Sequence, residues 1–234
     1  MESPKLLYDK LKGVNDIENV AFTRLFENYL KYDLKGPNKV IEIEDTDQES
    51  VLKKISGGLP FQGMIYTFIH VNNQTLQEIQ NIQSGKIVKF HDYTPILFCT
   101  SYNPTDNIVK GINLNILPPE ERVKFFEAYY NVYKTFLKDV EELTQYNHIA
   151  LNTEYRIAAL SGKNPELFEY FNKSQHALFN YAYRSYNMLN LRKFRMMEYE
   201  DWQYIPFFNA KQSFKKANLE IIYKTYYDNK NKTK

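Results

Sequence analysis

The sequence predicts an α+β fold: a small SH3-like β-barrel or meander over about residues 57–117, surrounded by an aromatic-rich helical bundle. Three observations carry this. Between Gly57 and Pro119, short β-branched and aromatic runs alternate with turn residues. On both sides of that stretch, apolar residues recur at helical spacing. At 43% hydrophobic and 16% aromatic, with 20 Tyr and 16 Phe, the chain of 234 residues has apolar surface enough for a sizeable core. The stretches 1–56, 57–117, 118–192 and 193–234 read as an N-terminal helical region, the β core, the helical bundle and a Trp-containing β segment with a terminal helix and basic tail. Together they predict one compact body.

Residues 1–12 read as loosely held. Asn15-Asp16 caps a helix to about Asp33, which Gly36-Pro37 stops. Val40–Ile43 reads as a short strand, and Thr46-Asp47-Gln48-Glu49 as a capping box opening a helix through Ile55. The β core follows. Its strands are predicted at 64–71, 86–91, 93–101 and 108–115, with Pro95 at a strand start or sheet edge and a turn at 103–107. Thr75-Leu76-Gln77-Glu78 is another capping box, and Gly85 a helix stop, so residues 75–83 are predicted to form a small inserted helix. That insertion is either a contact loop or surface decoration.

Pro118-Pro119-Glu120-Glu121 starts a helix: proline suits the first turn, and carboxylates favour the positive end of the helix dipole. It is predicted to reach Leu143, with Val123, Phe125, Phe126, Tyr129 and Phe136 among apolar residues on more than one side. Such a helix is buried between layers or between subunits. Further helices are predicted at 147–160 and from Asn164 toward Leu191. After Arg195 the pattern turns β-like at Met196–Tyr199. Asn209 then caps a last helix from Ala210 to Tyr227, and Asp228–Lys234 is predicted to fray.

Several function classes lack their signatures. No Gly-x-x-x-x-Gly-Lys-Ser/Thr, Gly-x-Gly-x-x-Gly or Gly-x-Ser-x-Gly is present. The single cysteine, Cys99, lies in an apolar run and reads as a buried, inert thiol. His70, His91, His148 and His176 lack metal-ligand spacing. His91 and Asp92 are neighbours on a strand and so face opposite ways. Glu42, Glu44, Asp45 and Asp47 read as a solvated acidic turn. The expectation is therefore no catalytic group, no cofactor and no metal. No run approaches ~18 apolar residues and no signal peptide is visible, so a soluble protein folded in a cytoplasm is expected.

Charge is uneven. The net charge is +2, but residues 184–234 hold eleven Lys/Arg against five Asp/Glu, which is +6 there and −4 over residues 1–183. Arg192, Lys193, Arg195, Lys211, Lys215 and Lys216 are the candidate contacts for a partner or nucleic acid, with Trp202 and Tyr183, Tyr186 and Tyr199 interleaved. Lys211 and Lys215, four apart, would share a helical face. The alternatives are a phosphate-gripping, base-stacking surface and a lysine-rich solvent face beside a structural tryptophan.

Three places carry a resemblance. They are Gly63-Met64-Ile65-Tyr66-Thr67-Phe68, Asp92-Tyr93-Thr94-Pro95-Ile96-Leu97 and Gly111-Ile112-Asn113-Leu114-Asn115-Ile116-Leu117-Pro118-Pro119; the following helix with Arg122; and Arg192–Trp202 with Pro206-Phe207-Phe208 and a terminal helix. In this order they resemble a family of virion structural proteins of tailed bacteriophages, among them DNA end-protector and neck or tail ring-like proteins. The resemblance spans most of residues 57–227. It departs from the family in the N-terminal helical region, the 72–85 insertion and the enlarged bundle. It implies a non-catalytic virion subunit, assembled in the host cytoplasm into a homo-oligomeric ring against portal, neck, tail or baseplate subunits. A second implication is contact with double-stranded DNA through the C-terminal basic surface. On this reading several aromatics of residues 123–137 or 168–186 should be exposed for assembly.

Overall fold

The computed structural model describes residues 3–27, 60, 63–70, 76–129, 179–197, 199–215 and 219–232, and among these it shows two antiparallel sheets and four α-helices. The strands are β1 (Ile65–His70), β2 (Leu76–Gln80), β3 (Ile87–Asp92), β4 (Ile96–Asn103), β5 (Ile108–Asn113), β6 (Tyr183–Asn187), β7 (Leu191–Met196) and β8 (Phe214–Lys215). The helices are α1 (Pro4–Leu11), α2 (Ile17–Phe22), α3 (residues 119–129) and α4 (Leu219–Lys232). The main sheet runs β6-β5-β4-β1-β7, and a smaller one runs β2-β3-β8. The α+β class and the four central strands match the sequence reading.

The main sheet is strongly curled, and its connectivity shows why. β6 and β7 are its two edges, yet only Met188–Asn190, a 3-10 turn, joins them. In a flat sheet, edges four strand spacings apart would be ~19 Å from each other. Four residue steps span at most about 14 Å. The edges must therefore bend toward each other. Two β-bulges, at Thr67/Ile69 and Cys99/Ser101, supply local twist. At the second, Gly111 lies so near the Phe98 carbonyl that a Cβ there would sit 2.0 Å from the oxygen. Inside the curl, Phe68 of β1 meets Tyr186 of β6 edge-on at 5.0 Å, although β4 and β5 separate the two strands in the ladder. Phe194 of β7 stacks on Tyr66 at 4.6 Å.

Helix α3 packs on the outside of this curl. Phe98, facing outward from β4, meets Phe125 at 4.9 Å and Tyr129 at 5.4 Å. Phe126 and Tyr129 in turn lie against Trp202 in the 3-10 stretch Tyr199–Phe207. The helix is thus apolar around its girth because it is buried between two layers of its own chain. Val123, Phe125, Phe126 and Tyr129 are buried, as are Phe179 and Tyr186. Among the described residues, then, these aromatics are core and not the exposed assembly surface expected of residues 123–137 and 168–186.

Other expectations are corrected. Residues 76–80 form β2, not a helix: Ile79 is buried while Leu76, Glu78 and Gln80 are exposed, the alternation of a strand. The helix expected to reach Leu191 is absent over 183–191, where Tyr183–Asn187 pairs with β5, so the strand module extends well past 57–117. The β segment expected over Met196–Tyr199 is displaced: β7 covers Leu191–Met196, with Arg192 opposite Ile69, and a 3-10 stretch opens at Tyr199. Residues 4–11 are helical: Ser3 Oγ accepts from the Leu6 N–H, and Tyr8 stacks on Phe207 at 4.8 Å. Asp16 sits at the start of α2 with φ 58° and makes no side-chain cap. The last helix begins at Leu219, not Ala210, and it remains helical to Lys232 where fraying was expected. The elements expected at 40–43, 46–55 and 147–160, and the extension of α3 to Leu143, lie outside the described residues.

Candidate functional site

Two buried polar centres stand out among the described residues. The first is built on Asp92, the last residue of β3, whose carboxylate is fully buried. Ser213 Oγ donates to Oδ1 at 2.7 Å, Asn113 Nδ2 to Oδ2, and Asn115 Nδ2 lies 3.5 Å from Oδ1. Asn115 Nδ2 also donates to the Thr94 carbonyl at 2.9 Å, and Asn113 Nδ2 to Tyr186 Oη at 2.9 Å. Asn113 ends β5 of the main sheet, Asn115 lies in the turn after it and Ser213 in the turn before β8, while Asp92 itself ends β3 of the smaller sheet, so the carboxylate joins the two sheets. All are neutral, and among the described residues no cation stands at ion-pair distance from Asp92. Burial therefore pushes the carboxyl up to about 6, with the hydrogen bonds from Asn113, Ser213 and Asn115 opposing it.

His70, at the end of β1, adjoins this centre. Its ring lies beside the Asp92 backbone and meets Tyr186 edge-on at 5.3 Å, while Nδ1 has no partner. Burial pushes the imidazole down to about 4. Cys99, also buried, has its thiol pushed up to about 12 by burial, as far from a nucleophile as the sequence reading expected.

The second centre is Arg122 in the first turn of α3, fully buried. A guanidinium has five N–H donors. Here Nε donates to the Leu117 carbonyl, Nη1 to those of Ile205 and Phe208, and Nη2 to the Asn115 carbonyl and Tyr223 Oη, at 2.7–3.4 Å. All five are used and none reaches a carboxylate. Next to it, Glu121 is buried and pairs with Lys124 at 2.7 Å and with Lys230 of α4. Burial works against the Glu121 carboxylate, but hydrogen bonds from the two lysines outweigh it and hold the group below its ordinary value.

The basic surface expected from the sequence does not assemble as drawn. Trp202 is buried at 4% exposure and its Nε1 donates to the Met197 carbonyl at 3.2 Å, so it is a core residue and no stacking platform. Tyr186 is buried too. Arg192 is half-buried on β7, its Nη1 donating to the Leu189 and Leu191 carbonyls. Lys211 lies in the 3-10 turn Ala210–Gln212 and Lys215 in β8 opposite His91, so they share no helical face. Arg195 and Lys211 are exposed. Lys216 and the side chains of Lys193 and Lys215 lie outside the described residues.

Sequence reasoning missed both centres. One signal was present: Asn113 and Asn115, two apart in an otherwise apolar run ending in Pro118-Pro119, are amides where only buried groups fit. The sequence marks Arg122 only by its place in the resemblance and gives it no role. Among the described residues no group of three His, Cys, Asp or Glu side chains is placed to hold a metal, and no helix is long and apolar enough to cross a membrane. No family model, curated protein or solved structure matches the chain.

Proposed function

We infer that this chain is a structural subunit of a tailed-phage particle, a neck, tail or baseplate ring component that works by protein–protein assembly. One observation carries the reading: three of the stretches that resemble the virion family, 92–97, 111–119 and 206–208, converge with Arg122 on the two centres, where Ser213 and Ile205 join them. Asp92, Thr94, Asn113 and Asn115 make one, while Asn115, Leu117, Arg122 and the Ile205 and Phe208 carbonyls make the other. Segments far apart in sequence thereby specify a single rigid body, which is what a ring subunit requires. The curled sheet is read, within the same proposal, as an SH3-like barrel. The β2–β3 hairpin is its assembly surface. Leu76, Ile82 and Ile87 are 40%, 48% and 48% exposed there, around an outward Glu78–Lys89 pair. The Asn229 side chain of α4 and Arg184 bind the carbonyls of Gln80 and Glu78. Rigid, exposed apolar groups of this kind suit an interface core.

The reading is tested on purified particles and on the isolated chain. Mass spectrometry should find the polypeptide in stoichiometric amount in virions; its absence there removes the proposal. Sedimentation of the isolated chain should show salt-insensitive oligomers that Ile82→Glu with Ile87→Glu disperses. DNA retardation that fades steeply with salt, and is lost in Arg195→Glu with Lys211→Glu, would replace assembly with packaged-DNA or DNA-end binding.

A further inference from the structure

We propose that the His70–Asp92 seam is a proton-operated latch between the two sheets, closed most tightly while both side chains are uncharged and loosened when Asp92 ionises inside it. The geometry supplies the argument. Among the described residues Asp92 is held only by neutral donors: Asn113 at the end of β5, Asn115 in the turn after it, and Ser213 before β8. The titratable groups facing it are His70 from β1 and Tyr186 and Arg184 from β6. Tyr186, buried, is held protonated well above its ordinary range. Arg184 gives its Nη donors to the Tyr181, Tyr183 and Glu78 carbonyls, so it acts on Asp92 only at a distance. His70 has a geometric reason of its own to stay neutral: a proton on Nδ1 would point a buried N–H at no acceptor.

The two groups pull in opposite directions. Asp92 titrates near 6 in the fold and near 3.8 when released, so its contribution is present below 3.8 and is lost as pH rises to about 6. His70 titrates near 4 in the fold and near 6.5 when released, so its contribution is present above 6.5 and is lost as pH falls to about 4. Between pH 4 and 6, global unfolding therefore releases one proton and takes up another, and the pair gives it no slope. Local opening is different. If the Ser213 turn lifts from Asp92 while His70 stays within the curl, only the Asp92 proton is lost. The opening constant then rises about tenfold per pH unit from 4 to 6, roughly 100-fold in all, and levels off above 6.

The full-length chain, carbon-13 labelled at carboxyl and imidazole groups, tests this by NMR titration. The expected result is an Asp92 midpoint near 6 and a His70 midpoint near 4. An Asp92 midpoint near 3.8 or a His70 midpoint near 6.5 overturns the latch. Hydrogen exchange at the Tyr93 amide, which donates to the Ser213 carbonyl at 3.0 Å, reads the opening once intrinsic rates are divided out. Its opening constant should climb about tenfold per pH unit between 4 and 6 in the wild type and stay level in Asp92→Asn. A slope that is absent in the wild type, or that survives in Asp92→Asn, also overturns it. The wild-type titration keeps the test decisive if the variant does not fold.

Discussion

Arg122 and Asp92 are both buried charges without an ion partner among the described residues, yet the protein accommodates them differently. Arg122 is enclosed by four main-chain carbonyls and one phenol. Asp92 is enclosed by amide and hydroxyl side chains. The difference follows from the groups. A guanidinium does not deprotonate in proteins, so its charge must be matched donor by donor, and carbonyl dipoles fixed by the backbone do that. A carboxylate can escape burial by taking a proton, so it tolerates looser surroundings and becomes sensitive to pH. Arg122 is therefore a permanent tie between α3, the 114–118 turn, the Tyr199–Phe207 stretch and α4. Asp92 is a conditional tie between the sheets.

The largest expected effect is on Arg122. Arg122→Met leaves four buried carbonyls with one partner fewer, and buried acceptors stripped of a charged donor cost about 1–3 kcal/mol apiece, on the order of 4 kcal/mol in all. For a chain of this size that lowers Tm by on the order of 10 °C. Trp202, the only tryptophan, lies in the stretch whose Ile205 carbonyl Arg122 holds, so its fluorescence reports the loss directly. Arg122→Lys keeps the charge but has three donors for five acceptors, and should recover only part of the loss. If Arg122→Met costs under about 1 kcal/mol, the tie is not structural and the comparison fails.

Gly111→Ala comes next. A methyl group 2.0 Å from the Phe98 carbonyl oxygen forces β4 and β5 apart at the bulge, and overpacking of this kind costs about 1–3 kcal/mol. The damage should fall on the Asp92 side of the comparison, because Asn113 and Asn115 follow Gly111 directly. Amide exchange should quicken at Tyr93 while Trp202 fluorescence stays native. Equal disturbance of both probes would mean that the two centres are one cooperative unit.

These ties also separate what the sequence discloses from what it hides. The strands at 64–71, 86–91, 93–101 and 108–115 are legible because their alternation and turn residues are local, and Pro118-Pro119-Glu120-Glu121 marks the start of α3 for the same reason. β2 is hidden because Thr75-Leu76-Gln77-Glu78 satisfies a helix-capping pattern, whereas its strand pairing depends on β3. β6 is hidden because its aromatic run prolongs a helical pattern, and only pairing with β5, more than 70 residues earlier, makes it a strand. Trp202 and the lysines after it look like a surface when a helix is assumed from Ala210. The 3-10 stretch Tyr199–Phe207 turns the tryptophan inward, and the 3-10 turn and β8 after Ala210 part Lys211 from Lys215. The Asp92 centre draws together residues up to 121 apart, and no local pattern encodes that.

Glu121 offers a third way to hold a buried charge, and the smallest expected effects. It uses true ion pairs, but its two lysines differ in exposure: the Lys124 side chain is 65% exposed and that of Lys230 is 18%. Water screens the first pair, so Lys124→Met should change stability by no more than about 0.5 kcal/mol. Lys230→Met leaves the buried carboxylate with the exposed Lys124 and a long, 3.4 Å hydrogen bond from Tyr226 Oη, and should cost about 1–2 kcal/mol. The pH dependence separates the cases further. In the wild type the folded Glu121 titrates below its unfolded value, so its contribution is present above the unfolded value, 4.5, and is lost as pH falls through the folded one. Without Lys230, burial dominates and the carboxyl moves up, so urea midpoints of Lys230→Met should fall less between pH 6 and pH 3 than those of the wild type. Parallel acid profiles would mean that Lys230 contributes packing and not charge, and that the carboxylate is held by Lys124 and Tyr226 alone.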